Sequence, residues 1–128
     1  MIPVSVLKSI ATIVGSENMF TSAEDKITYA YDGTPLLSVL PDAIVRPSSK
    51  EQVAEILKLA NQQHFHVVPR GAGTGLSGGS VPVHDCIIID MSRWNRILEI
   101  DTENLTAWVE PGVITSQLHQ AVEALGLF

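Results

Sequence analysis

Five of the nine glycines in this 128-residue chain stand at positions 71, 73, 75, 78 and 79. They punctuate the run Pro69-Arg70-Gly71-Ala72-Gly73-Thr74-Gly75-Leu76-Ser77-Gly78-Gly79. Residues without a Cβ take positive φ easily and let a ligand approach the main chain. A string of them turns several peptide N–H groups toward one point and forms a nest for an anion. Arg70 adds the side-chain positive charge nearby. The chemistry this predicts is the binding of a phosphate or a pyrophosphate.

Three formal motifs overlap in the run. Gly73-Thr74-Gly75-Leu76-Ser77-Gly78 fits G-x-G-x-x-G, but a dinucleotide fingerprint needs a helix to open at the third glycine. Pro82 and a strand follow instead. Gly73 to Gly78 also has Walker A spacing, yet Gly79 stands where the phosphate-binding lysine belongs, and no lysine occurs after Lys58. Gly75-Leu76-Ser77-Gly78-Gly79 fits G-x-S-x-G, whose serine must sit on a strand-to-helix elbow with a histidine in reach. No helix follows, and nothing places His84 or His119 as a base. The anion nest is the reading that survives, against a plain flexible loop.

Other reactive residues have simpler readings. His64 and His66 are two apart on a predicted strand and so share a face. No further ligands at metal spacing accompany them, so a sheet-surface pair is expected. Cys86 opens an apolar run and reads as a small buried hydrophobe. Arg46, Arg93 and Arg96 are expected on the surface or in ion pairs, and Trp94 and Trp108 at a sheet edge. No residue is nominated as catalytic.

The elements that must position the loop can be read in order. Val6, Ile10, Ile13 and Val14 predict a helix over residues 3–14, with Gly15 at its end. Thr21 with Glu24 predicts a short helix start, and Tyr31-Asp32-Gly33-Thr34-Pro35 a turn. Ala43 to Arg46 reads as a strand stopped by Pro47. Ser48-Ser49-Lys50-Glu51 has capping-box spacing, and the next helix carries Val53, Ile56, Leu57 and Ala60 as its core stripe. His64 to Pro69 completes a right-handed βαβ unit with a parallel strand pair. The glycine run thus leaves the C-terminal end of a parallel strand, where open α/β sheets place their ligands. Cys86 to Asp90 is a strand covered on both faces. Ile97 to Ile100 and Leu105 to Glu110 predict a hairpin. Pro111-Gly112 turns the chain into a last helix, capped by Thr115 or Ser116, with Leu118, Ala121, Val122 and Leu125 on one face. Gly126 ends it.

Composition bounds the rest. Hydrophobic residues make up 45% and charged residues 17%, which excludes a disordered chain. Aromatic residues are only 5%, so the core must be aliphatic. A net charge of -6 leaves no basic footprint for nucleic acid. No apolar run approaches the roughly 20 residues of a membrane span. A single cysteine excludes an internal disulfide, and no secretory signal is visible, so a cytoplasmic protein is expected. The apolar end Leu127-Phe128 reads as a chain that continues in a longer protein.

Pro41-Asp42-Ala43-Ile44-Val45-Arg46-Pro47, Ser49-Lys50-Glu51-Gln52-Val53 and Val68-Pro69-Arg70-Gly71-Ala72-Gly73-Thr74 together resemble the FAD-binding domain of the vanillyl-alcohol oxidase and p-cresol methylhydroxylase family. The run Gly71 to Gly79 is similar to the branch with the glycolate oxidase FAD subunit and D-lactate dehydrogenases. Ile89-Asp90-Met91-Ser92-Arg93 and Val109-Glu110-Pro111-Gly112-Val113 fit as well. The resemblance spans residues 29–128.

The resemblance implies an α/β (α+β) fold, the first half of a p-cresol methylhydroxylase-type FAD-binding domain: a small parallel βαβ sheet, then antiparallel strands and a helix. Residues 1–40 would be a helical leader. Residues 41–128 would be the N-terminal part of the domain, without its second half and substrate cap. It implies that FAD's pyrophosphate is held by Arg70, Gly71, Ala72, Gly73, Thr74 and Gly75, and by Ser77, Gly78 and Gly79. Pro47, Pro111 and Gly112 would lie near the nucleotide half. Some members attach flavin through a histidine where this chain has Thr74, so non-covalent FAD is expected. The implied activity of the full-length relatives is oxidation of a 2-hydroxy acid, of the glycolate or D-lactate class, to the 2-oxo acid. This stretch alone is expected to be inactive, with companion oxidase subunits as possible partners. The alternatives are a non-catalytic nucleotide-binding or subunit-docking module, and a flavoprotein like the NADPH-dependent peptidoglycan-precursor reductase.

Overall fold

The computed structural model describes residues 1–128. Its elements run α1 (Val4–Val14), β1 (Met19–Phe20), α2 (Ala23–Thr28), β2 (Ala43–Val45), α3 (Lys50–Gln63), β3 (His66–Arg70), β4 (Cys86–Asp90), β5 (Ile97–Asp101), β6 (Thr106–Val109) and α4 (Thr115–Glu123). They fall into two compact units, Met1–Asp90 and Met91–Phe128. No helix is long and apolar enough to cross a membrane.

The first unit is built on a four-stranded sheet of order β1-β2-β4-β3. Every residue of β4 is buried: the apolar run Cys86 to Ile89 requires cover on both faces, and Asp90 at its end is bonded by Tyr29 and Arg46. β4 lies parallel to both β2 and β3, with Ile44 opposite Ile88 and Val68 opposite Ile88 on its other edge. The predicted strands β2 and β3 are therefore parallel but not adjacent. β4 takes the place between them because it is the strand with most apolar surface to cover. β1 closes the β2 edge antiparallel, pairing Met19 with Val45.

Helices α1 and α3 pack together. Val6, Ile10 and Val14 of α1 and Ile56 and Ala60 of α3 join Ile44, Val45 and Ile87 to Ile89 in an aliphatic core. Leu57 departs from the expected stripe: it is 45% exposed. Leu59, which lines a groove together with Ile13 of α1, is half-buried in its stead.

Helix ends also differ from expectation by one residue. Ser22, not Thr21, caps α2 and accepts from the Asp25 N–H at 3.1 Å. Ser49 caps α3 and accepts from the Gln52 N–H at 3.2 Å. Gln52 reaches back, its Oε1 accepting from the Ser48 N–H at 2.8 Å. The capping frame is thus Ser49 with Gln52, one position later than Ser48 with Glu51, and the glutamine bonds the N–H of the residue before the cap where a capping box would bond that of the cap itself. His64 is the left-handed C-cap of α3 (φ 57°), not a strand residue. It therefore does not share a strand face with His66.

The second unit is the β5–β6 hairpin with α4. Its register runs from Ile97 opposite Val109 to Asp101 opposite Thr106, with an irregularity between Ile97 and Glu99. Asp101 Oδ1 holds the connection by accepting from the Glu103 and Asn104 N–H groups at 3.0 and 2.9 Å. Helix α4 starts after Ile114, with no side-chain cap, so neither Thr115 nor Ser116 plays that part. Gly126 ends it in a Schellman turn: Leu127 N–H donates to Val122 O at 3.1 Å and Gly126 N–H to Glu123 O at 2.9 Å. Leu118, Ala121 and Val122 are half-buried, whereas Leu125 is exposed.

Candidate functional site

The glycine run begins where β3 ends. Arg70, the last residue of β3, pairs with Asp90 at the end of β4. Pro47 follows the end of β2 and is buried. The C-terminal ends of the three parallel strands thus share one edge of the sheet, and the run from Gly71 to Ser80 leaves from that edge.

Arg70 is only 8% exposed. Its Nη1 donates to the Tyr31 carbonyl at 2.6 Å, and its guanidinium lies over the Tyr29 ring, 5.2 Å from the centroid. The side chain expected to face an anion is thus engaged in anchoring the start of the loop. Gly73 has φ +69°, and a Cβ there would fall 2.2 Å from Arg70 Nη2. The arginine therefore occupies the space that only a glycine leaves free.

The far end of the loop is held by Asp32, itself buried. Its Oδ1 accepts from the Thr34 N–H at 2.7 Å, and Oδ2 from the Ser80 hydroxyl at 3.4 Å. The Thr34 N–H, with further help from Ser80, holds the Asp32 carboxyl below the usual aspartate range. The enclosed Thr34 hydroxyl lies within electrostatic reach of this carboxylate, in no geometry that makes a hydrogen bond. Between these anchors the loop makes little use of its own donors. The first peptide N–H after Arg70 to find a backbone acceptor is that of Val81, to Gly78 O at 3.2 Å. The N–H groups from Gly71 to Gly79 are left available. Ala72, Thr74, Gly75, Ser77 and Gly79 are exposed, and the space over Gly79 is open. A loop of free donors with room above it fits an extended anionic guest such as the pyrophosphate of FAD.

A second cluster stands on the same sheet edge. Arg46 Nε donates to Asp90 Oδ2 at 2.8 Å, and the Tyr29 hydroxyl to the same oxygen at 2.6 Å. Arg46 Nη2 also donates to the Tyr29 oxygen at 3.0 Å, and the guanidinium caps the Phe20 ring at 4.6 Å. Burial, followed by the Asp90 carboxylate, pushes the Tyr29 hydroxyl up; bonding to Asp90 raises Arg46 further. Both shifts favour the protonated forms, so this cluster is a fixed ionic latch.

Pro111 and Gly112 lie in the second unit, in the turn before α4. Gly112 N–H donates to Trp94 O at 2.7 Å. Arg96 pairs with Glu110, Nη2 to Oε1 at 2.8 Å, which fulfils its ion-pair reading. Trp108 is 71% exposed on β6. No group of three or more His, Cys, Asp or Glu gathers at metal-binding distance. Cys86 is buried, and burial pushes its thiol up.

Tyr29, Asp32 and Gly33 were not singled out from the sequence as parts of the loop's surroundings. Asp32-Gly33 reads as ordinary turn chemistry. Its partner Ser80 is 48 positions away, and no local pattern joins the two.

Residues 41–128 match the protein family described as "FAD binding domain". The chain is 40% identical over 128 residues to the glycolate oxidase subunit GlcD of Bacillus subtilis, covering 100% of this chain and 27% of that protein. It is 35% identical over 124 residues to a D-2-hydroxyglutarate dehydrogenase of Stutzerimonas stutzeri, covering 97% and 27%. Its fold is similar to that of p-cresol methylhydroxylase, with TM-score 0.80 and 24% identity over 96% of this chain and 25% of that one. A 4-ethylphenol oxidase from Gulosibacter chungangensis gives 0.79 and 28% over 96% and 24%. The chain therefore spans about a quarter of the length of these relatives.

Proposed function

The chain belongs to the FAD binding domain family, and from that premise we propose that its Arg70–Gly79 loop holds the pyrophosphate of a non-covalently bound FAD in a flavoprotein that oxidises 2-hydroxy acids. The observation that carries this reading is the run of uncommitted N–H groups from Gly71 to Gly79 at the C-terminal edge of a parallel sheet. Oriented N–H donors stabilise a pyrophosphate without any side-chain cation. This suits a loop whose arginine is occupied elsewhere. Pro47, buried just after β2, flanks the nucleotide half on this reading. Thr74 is exposed and offers a hydroxyl where a covalent member of the family offers an imidazole, so the flavin leaves intact on denaturation.

When bound, the flavin supplies the two-electron acceptor that the amino acids lack. The relatives named for glycolate and for D-2-hydroxyglutarate share the 2-hydroxy-acid group, which supports that substrate class and a 2-oxo acid product. This chain's part is to bind and orient. Residues 41–128 act as the N-terminal portion of the FAD domain, residues 1–40 as a leader whose α1 and β1 are packed into the same first unit, and the substrate cap and its base lie outside these 128 residues. The name of the glycolate oxidase relative as a subunit supports companion chains.

The test is a titration of the chain with FAD and with riboflavin, followed by flavin fluorescence. Two charge-assisted N–H bonds at about 1.5 kcal/mol each favour FAD by about 3 kcal/mol, or roughly hundredfold. Equal affinity for riboflavin would remove the loop from the binding. Acid precipitation should release all flavin into the supernatant. In an FAD-loaded protein that also carries the substrate cap, anaerobic bleaching of the flavin by glycolate, D-lactate or D-2-hydroxyglutarate tests the substrate class, and reduction by NADPH alone would replace it.

A further inference from the structure

Both ends of the glycine loop are gripped by one short segment, Tyr29 to Thr34. At the start, Arg70 donates to Tyr31 O at 2.6 Å and rests on the Tyr29 ring. At the finish, the Ser80 hydroxyl donates to Asp32 Oδ2 at 3.4 Å. In the middle, Gly33 packs main chain on main chain: a Cβ there would lie 2.9 Å from Gly75 O and 3.0 Å from Thr74 O. The segment is in turn rooted in the sheet, because the Tyr29 hydroxyl donates to Asp90 Oδ2 at 2.6 Å at the end of the central strand. Asp32 closes on itself through the Thr34 N–H at 2.7 Å, which fixes its carboxylate before any partner arrives.

A loop whose own N–H groups are uncommitted loses backbone freedom when a ligand orders it. Holding its ends in advance lowers that loss and tightens binding without a new ligand contact. We propose that Tyr29–Thr34 is a clasp that pre-organises the glycine loop, and that Asp32 is a positioning residue for the nucleotide, acting through Ser80 and the loop ends. The proposal rests on the loop being the pyrophosphate site. It predicts a sign that simple electrostatics reverses. A carboxylate near an anion site repels the anion, so if repulsion were all it did, neutralising Asp32 would strengthen binding. On the clasp account, neutralising it weakens binding.

The experiment compares the wild-type chain with Asp32→Ala, Asp32→Asn, Ser80→Ala and the core control Ile56→Val. Each is measured where its melting curve shows it fully folded. The expected result is at least tenfold weaker binding of FAD and of ADP for Asp32→Ala. Ser80→Ala should show a smaller loss, and Asp32→Asn partial recovery through its remaining acceptor. Ile56→Val should lower the melting temperature and leave affinity unchanged. Tighter ADP binding in Asp32→Asn, or an Asp32→Ala loss that Ile56→Val reproduces, overturns the proposal. A ligand-free arm separates it from the FAD reading. The 15N heteronuclear NOE of Gly71 to Gly79 should fall in Asp32→Ala and stay at the wild-type value in Ile56→Val. If the wild-type chain binds neither FAD nor ADP, the pyrophosphate reading fails and the nucleotide role falls with it, while the NOE still decides whether the clasp exists. Unchanged NOE values would overturn the clasp itself.

Discussion

Replacing Gly73 by alanine puts one methyl group where Arg70 already is. The added Cβ would stand 2.2 Å from Nη2 and 2.3 Å from Cζ. No real carbon tolerates that approach, so the guanidinium must leave. Leaving breaks its 2.6 Å bond to Tyr31 O, worth about 1.5–3 kcal/mol for a charged donor. It also forfeits the contact with the Tyr29 ring, worth about 0.5–1 kcal/mol. The left-handed backbone, φ +69°, adds about 1–2 kcal/mol for any residue with a Cβ. The expected loss is about 3–6 kcal/mol, a large share of the roughly 5–15 kcal/mol that holds a domain together. The reasoning is separable, because most of the loss runs through Arg70. In an Arg70→Ala background, Gly73→Ala should cost only the backbone part, about 1–2 kcal/mol. Four proteins compared by urea denaturation, followed by far-UV circular dichroism, give the coupling as a double-mutant cycle. A coupling of about 2–4 kcal/mol is expected. An equal cost of Gly73→Ala in both backgrounds would refute the account of why this position is glycine.

Ser49→Ala should lower stability by about 1 kcal/mol in the same assay, and Ser48→Ala by clearly less, since Ser49 holds the N-cap position of α3. The reverse order would restore the earlier capping frame. Cys86 should resist a thiol reagent in the native chain and react at once in urea, because it is buried and its thiol is pushed up; prompt native labelling would contradict the burial. Asp32 has its carboxyl lowered on folding, so it stabilises the fold above the ordinary aspartate pKa and that help is lost as pH falls through the lowered folded value. Between about pH 5 and pH 2 the melting temperature should fall less steeply in Asp32→Asn than in the wild type, and parallel curves would contradict the shift.

What could be read directly was what is local in the chain. The glycine run, the strand before it, the α3 stripe centred on Ile56 and Ala60, and the apolar run Cys86 to Ile89 of β4 each carry their signal within a few residues. Two kinds of feature were not legible in this way. One is the choice between neighbouring residues of like chemistry: Ser48 or Ser49 as cap, Thr21 or Ser22, Leu57 or Leu59 at the edge of a stripe. There the frame is set by what the rest of the fold packs against the helix, which the local pattern does not contain. The other is contact across long sequence separation. Nothing in Ala43 to Pro69 announces that β4 will enter between the two strands. Arg70 looked like a cation for an anion, and a carbonyl 39 positions earlier takes it instead. Asp32 looked like a turn residue because its own turn is real, while its second oxygen serves Ser80. The glycine loop could be found from its composition; the segment that grips it could not, because gripping needs only a carbonyl, a ring and one carboxylate.

The central claim is that the free N–H groups of Gly71 to Gly79 receive the pyrophosphate of FAD. The most direct measurement follows the amide 1H–15N signals of the chain during titration with FAD, ADP and riboflavin. The account predicts that FAD and ADP move the signals of Gly71, Gly73, Gly75, Gly78 and Gly79 in the same direction and by similar amounts, and that riboflavin leaves them still. Signals that stay fixed through an FAD titration that quenches flavin fluorescence, or that move equally with riboflavin, would place the flavin elsewhere and contradict it.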